Sequence, residues 1–108
     1  MFLFFKLLRI AVVTGGNKGV GLEICKQLAN EVVVVLTARD DKRGTDAVAQ
    51  LHSSGFPDVI FHQLDVTNLA SIASLANFIE ARFGKLDILV RNLILNLVPV
   101  QILHQINI

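Results

Sequence analysis

The octet TGGNKGVG, residues 14–21, lies between the apolar run Ile10-Ala11-Val12-Val13 and the helical pattern Leu22-Glu23-Ile24-Cys25-Lys26-Gln27-Leu28. Strand, glycine-rich turn and helix in that order leave few folds open, because they build a cradle for a phosphorylated nucleotide. In such a cradle Gly15 lets the chain reverse sharply after the strand. Gly19 lets backbone N–H groups approach a pyrophosphate, and Gly21 permits close helix–strand packing. The free amides and positive dipole end of the helix then face the anion.

The rest of the chain alternates in the same rhythm. Strand Ile10–Val13 leads into a helix from about Lys18 to Ala29, with Asn30 expected to end it in a left-handed conformation. A buried strand follows over Val32–Leu36. Asp40 or Asp41 is suited to cap a second helix running to about Ser53, whose first turn Gly44 weakens. Ser54-Gly55-Phe56-Pro57 reads as a loop and Val59–Leu64 as the third strand. Thr67 or Asn68 caps a third helix with apolar positions Leu69, Ile72, Leu75, Ala76 and Ile79, which stops before Gly84; Leu86–Val90 is the fourth strand. Regular alternation predicts an α/β fold with a doubly wound parallel sheet and right-handed crossovers.

Length and composition set limits. At 108 residues this is one small domain, short for a complete dinucleotide enzyme. The net charge of +1, with both signs interspersed, gives no footprint for nucleic acid or an anionic membrane. One cysteine allows no internal disulfide and fits a reducing, cytoplasmic compartment. The N-terminal MFLFFKLLRI carries Lys6 and Arg9, and its uncharged stretch is too short for a signal core or a span. From Leu89 the chain is apolar again but broken by Asn92, Asn96, Gln101, His104, Gln105 and Asn107, so no membrane helix is expected there. No metal-ligand spacing occurs.

The end of the second strand bears on which nucleotide would fit. Sheets of this kind that prefer NAD place an Asp or Glu there to accept from the ribose 2′-hydroxyl. Here the strand runs out as Thr37-Ala38-Arg39, a small neutral residue followed by a planar cation suited to a phosphate. Lys18 approaches the same place from the glycine turn, and Lys42 and Arg43 add charge in the next helical turn. A solvated basic loop is the plainer alternative; a 2′-phosphate site, hence NADP(H), is the sharper one.

TGGNKGVG, VVLTARD (34–40), HQLDVTN (62–68) and FGKLDILV (83–90) together resemble the N-terminal part of the short-chain dehydrogenase/reductases, and within them the plant NADPH-dependent carbonyl reductases. The resemblance implies a Rossmann-type half-domain over residues 1–90 followed by a non-matching apolar tail, 91–108. It also implies that Gly15, Asn17, Lys18, Gly19, Val20 and Gly21 hold the pyrophosphate and adjoining ribose, with Lys18 and Arg39 on the 2′-phosphate. Asp65 and the Val66 amide would meet the adenine; the residues themselves allow Asp65 to be a helix cap instead.

Departures from the family pattern follow Val90. Members continue with Asn-Asn-Ala-Gly, where this chain has Arg91, Asn92, Leu93 and Ile94, so Asn92 alone carries over to the cofactor site. The family's catalytic Ser and Tyr-x-x-x-Lys are not matched, and the chain contains no Tyr and no Trp. His52, His62 and His104 lack an oriented partner and read as ordinary side chains. Cys25, on the inner side of the first helix, reads as a core cysteine. Two expectations follow: an NADPH-dependent oxidoreductase by ancestry, or a truncated, non-catalytic form that binds cofactor or a full-length relative. In either, the fourth strand's outer edge invites association unless the tail from Leu93 covers it.

Overall fold

The computed structural model describes residues 9–91. Strands β1 (Ile10–Val13), β2 (Val33–Ala38), β3 (Val59–Gln63) and β4 (Ile88–Val90) alternate with helices α1 (Gly19–Leu28), α2 (Asp41–Ser53) and α3 (Leu69–Arg82). The sheet is entirely parallel in the order β3-β2-β1-β4. The doubly wound fold expected from the alternation is therefore the one observed.

Residue alternation along β1 explains the layering. Ile10 and Val12 point to the face covered by α3, packing with Val35, Ile72, Leu75 and Ile79. Ala11 and Val13 point to the opposite face, where Cys25 of α1 and Ala47, Val48 and Leu51 of α2 cover them. All four β1 side chains are buried, as a central parallel strand requires. The chain runs outward from β1 to β2 and β3 with both crossover helices on one face. It then returns by α3 across the other face to β4, so the order reverses between β1 and β4 at the carboxyl edge.

Local chemistry sets the boundaries, and some differ from expectation. α1 starts at Gly19, because Lys18 is fully extended at φ −162°, ψ 169°. It stops at Leu28 with Ala29, not Asn30, as its C-cap in a right-handed conformation; Glu31 and Val32 N–H groups both close back on the Leu28 carbonyl. Asp40 caps α2 by accepting from Arg43 N–H at 3.0 Å, and Asn68 caps α3 by accepting from Ser71 N–H at 3.0 Å. β2 is shifted, running from Val33 to Ala38, and β3 stops at Gln63. β4 is shorter than Leu86–Val90 because Asp87 turns its side chain into the sheet. Its Oδ2 takes the Ile10 N–H at 2.8 Å while its own N–H reaches the Ile10 carbonyl at 3.0 Å.

Two glycines permit close packing that their positions alone do not announce. A Cβ on Gly44 would stand 1.9 Å from Phe61 Cε1, so α2 lies directly against the β3 ring. A Cβ on Gly16 would stand 3.0 Å from both Cys25 Sγ and Leu36 Cγ. The first eight residues of the apolar N-terminal segment, and the tail from Asn92 to Ile108 expected to flank β4, lie outside the described residues.

Candidate functional site

Thr37 anchors the site. Buried at the end of β2, its hydroxyl donates to the Val13 carbonyl at 2.8 Å, and its own carbonyl accepts from Gly16 N–H at 2.9 Å. The turn after β1 is thereby held to the end of β2. Gly15 has φ +60° and Gly19 φ +59°, the left-handed region where a side chain is strained. Space around Gly19 is open, with nothing within 4 Å of where a Cβ would stand. Gly21 is buried on the sheet-facing side of α1 with Cys25 one turn on. Val20 is 68% exposed at the open end of the helix.

The start of α1 differs from the other helix starts. α2 and α3 have side-chain caps; α1 has neither a side-chain cap nor an acidic residue in its first turn. Its leading amides thus keep the capacity to bind an anion.

Two adjoining cavities open beside this turn, sharing Ala38 and Arg39. The first, about 210 Å³, is walled by Thr14, Gly15, Leu64, Asp65, Val66 and Thr67. The second, about 420 Å³, is lined by Asn17, Lys18, Asp40 and Arg43. Among the described residues the ion pairs are Lys42–Asp46 at 3.0 Å and Lys85–Asp87 at 3.3 Å, so Lys18, Arg39 and Arg43 meet in the second cavity without a salt bridge. Lys42, expected to add to that charge, is turned along α2 to Asp46 instead. Arg43, the other cation expected from that helical turn, does line the second cavity.

Asp65 closes the first cavity. Its Oδ1 accepts from the Thr67 hydroxyl at 2.6 Å and the Thr67 N–H at 2.9 Å, while Asn68 performs the capping of α3. The Thr67 hydroxyl, then its N–H, hold the Asp65 carboxyl below its ordinary value, with the Arg39 charge assisting. Asp40 is likewise lowered, chiefly by the Arg43 N–H. The first cavity is thus mainly apolar with one carboxylate at its rim, and the second gathers cations suited to an anionic group. Asn92 lies outside the described residues.

The remaining candidates have structural partners. His52 Nε2–H donates to the Val59 carbonyl at 2.8 Å, and His62 Nδ1–H donates to the Gln63 carbonyl at 2.8 Å with its ring 4.8 Å from that of Phe78. Cys25 is fully buried, and burial pushes its thiol up to about 12, far from thiolate chemistry. Among the described residues no group of three or more His, Cys, Asp or Glu is placed to hold a metal ion. No helix among them is long and apolar enough to cross a membrane.

The parallel sheet in the order β3-β2-β1-β4 and the glycine turn at its carboxyl edge define a protein of the Rossmann type. The chain belongs to the short chain dehydrogenase family, whose model matches residues 9–103. It is 61% identical over 87 residues to salutaridine reductase of Papaver bracteatum, a match covering 79% of this chain and 28% of that protein. Carbonyl reductase (NADPH) 1 of Sus scrofa is 48% identical over 88 residues, covering 78% of this chain and 29% of that protein. The structure of menthone neomenthol reductase from Mentha piperita superposes with a TM-score of 0.77 at 53% identity, covering 82% of this chain and 32% of that one. The chain thus spans less than a third of the length of these relatives.

Proposed function

We propose that this chain is the NADP(H)-binding portion of a short chain dehydrogenase whose reaction is the NADPH-dependent reduction of a ketone or aldehyde to an alcohol. The observation that carries this reading is Arg39 standing between two cavities, one apolar and closed by Asp65, the other bearing Lys18 and Arg43. The cofactor would supply hydride; this chain's part is to hold it. Gly15, Asn17, Lys18, Gly19, Val20 and Gly21 flank the pyrophosphate and ribose, Lys18, Arg39 and Arg43 the 2′-phosphate, and Asp65 and Val66 the adenine; Asn92 is assigned to cofactor binding by its motif position. Relatives named as reductases, one of them with NADPH, support the assignment.

Binding is assigned to residues 1–90, with 91–108 as a tail. The family match itself runs on to residue 103, so that boundary follows motif content. No tyrosine occurs among the 108 residues, so a Tyr proton donor is not supplied by this chain. That favours a second reading, in which it binds cofactor or a full-length relative without catalysing reduction. The setting is cytoplasmic, where NADPH is available.

Calorimetric titration with NADPH and NADH tests the proposal. Saturable binding with a clear preference for NADPH is expected. Arg39→Ser should weaken NADPH by about 10-fold or more, since hydrogen bonds to a charged group are worth about 1.5–3 kcal/mol. No binding of NADPH, or equal affinity for both cofactors, overturns it.

A further inference from the structure

We propose that Gln63 and Ser71 are positioning residues that hold the two halves of the nucleotide site in register, an inference that rests on the function proposed above. The parallel ladder between β2 and β3 ends where Leu64 N–H donates to the Ala38 carbonyl at 2.9 Å. One residue further on, the strands part. There the Gln63 side chain adds a rung of its own, its Nε2 donating to the Arg39 carbonyl at 3.2 Å. The other end of the same amide, Oε1, accepts from the Ser71 hydroxyl at 3.0 Å. Ser71 Oγ in turn accepts from the Asp65 N–H at 2.8 Å. Ser71 is itself fixed, because its N–H is the donor bound by the Asn68 cap of α3.

A continuous path of hydrogen bonds therefore runs from the Arg39 backbone through Gln63 and Ser71 to the Asp65 backbone. Arg39 lies on the phosphate cavity and Asp65 closes the base cavity, so this path sets their separation. Neither Gln63 nor Ser71 lines either cavity, so they act through Arg39 and Asp65 and do not touch the ligand. The two ends carry different parts of the recognition. Releasing Arg39 matters only to a ligand with a 2′-phosphate. Releasing Asp65 matters to any adenine nucleotide.

Calorimetry on the full chain with NADPH and NADH, for Gln63→Met, Ser71→Ala and Ser71→Thr, separates these roles. Gln63→Met keeps length but cannot bond; it should lower NADPH affinity about three- to tenfold, the worth of one neutral hydrogen bond, and change NADH less than about twofold. Ser71→Ala should weaken both nucleotides by a similar factor, and Ser71→Thr, which keeps the hydroxyl, should restore both. A purely structural role would instead lower the unfolding midpoint and affect both nucleotides alike in Gln63→Met. That pattern, unchanged affinities in both variants, or failure of Ser71→Thr to restore binding overturns the inference alone. Absence of NADPH binding by the unsubstituted chain overturns the functional reading and this inference with it.

Discussion

Substituting Gly44 by Ala sets two physical effects against each other with opposite signs. Glycine within a helix costs about 1 kcal/mol relative to alanine, so helix propensity alone makes Gly44→Ala stabilising. The structure argues the reverse. The new methyl would stand 1.9 Å from Phe61 Cε1 and 2.5 Å from both Cδ1 and Cζ. Non-bonded carbons prefer about 3.5–4.0 Å, so α2 and the ring must separate by well over 1 Å. Phe61 packs against the buried cluster that includes Ala47, Val48 and Leu51, which limits where the ring can go. Overpacking of a core costs about 1–3 kcal/mol, and an overlap this deep belongs near the upper end. The net expectation is a loss of about 1–2 kcal/mol. With neither Trp nor Tyr present, the assay is urea unfolding followed by far-ultraviolet circular dichroism. The same substitution on a Phe61→Ala background removes the clash and should stabilise by about 0.5–1 kcal/mol, the propensity gain alone. Stabilisation by Gly44→Ala in the otherwise unchanged chain, or the same effect on both backgrounds, would refute the packing argument.

Gly16→Ala, with its Cβ 3.0 Å from two fully buried side-chain atoms, should cost about 1–3 kcal/mol in the same unfolding assay, and adding Cys25→Ala should recover part of it. Acid should destabilise the fold. Asp87 is lowered chiefly by the Ile10 N–H, Asp65 by Thr67 and Asp40 by the Arg43 N–H. Carboxyls depressed in the folded state contribute stability above the unfolded value of about 3.9, and lose it as pH falls through the folded values. Unfolding midpoints should therefore hold near neutrality and fall below about pH 4, with a shallower fall in Asp87→Asn; a profile that is flat down to pH 2 refutes the assignment.

The sequence is most explicit where a requirement is local. Gly15 and Gly19 stand at the turn positions that take positive φ, and the alternating strand and helix patterns predict the parallel, doubly wound sheet. Cys25 reads as core from helical phase alone, and it is fully buried. Requirements set by distant partners are not visible in this way. Gly44 reads as a weak spot in a helix until Phe61, on another strand, is seen against it. Gly16 reads as one more turn glycine until Cys25 and Leu36 close on it. Asn30 is a reasonable left-handed terminator by residue type, but tight closure onto the Leu28 carbonyl ends the helix at Ala29 first. In the candidate site, Lys18, Arg39 and Asp65 are legible from motif spacing. The loss of Lys42 to Asp46 and the Gln63–Ser71 path depend on side-chain directions that spacing does not carry.

The position of β1 between β2 and β4 also implies an order of assembly. The hydroxyl of Thr37 reaches Val13 across 24 residues, whereas Asp87 reaches Ile10 across 77. Closing the longer loop costs about 1 kcal/mol more in chain entropy, from the logarithmic dependence on length. The stretch from β1 to β3 can therefore settle first, with β4 docking onto a platform already built. Both cavities are walled by residues between Thr14 and Thr67, inside the early segment. Pulsed hydrogen exchange reads the sequence of events directly, with the Gly16 amide, held by Thr37, protected before the Thr14 amide, held by Val90. A chain emerging residue by residue would thus shape its nucleotide cradle before the strand that completes the described sheet has arrived.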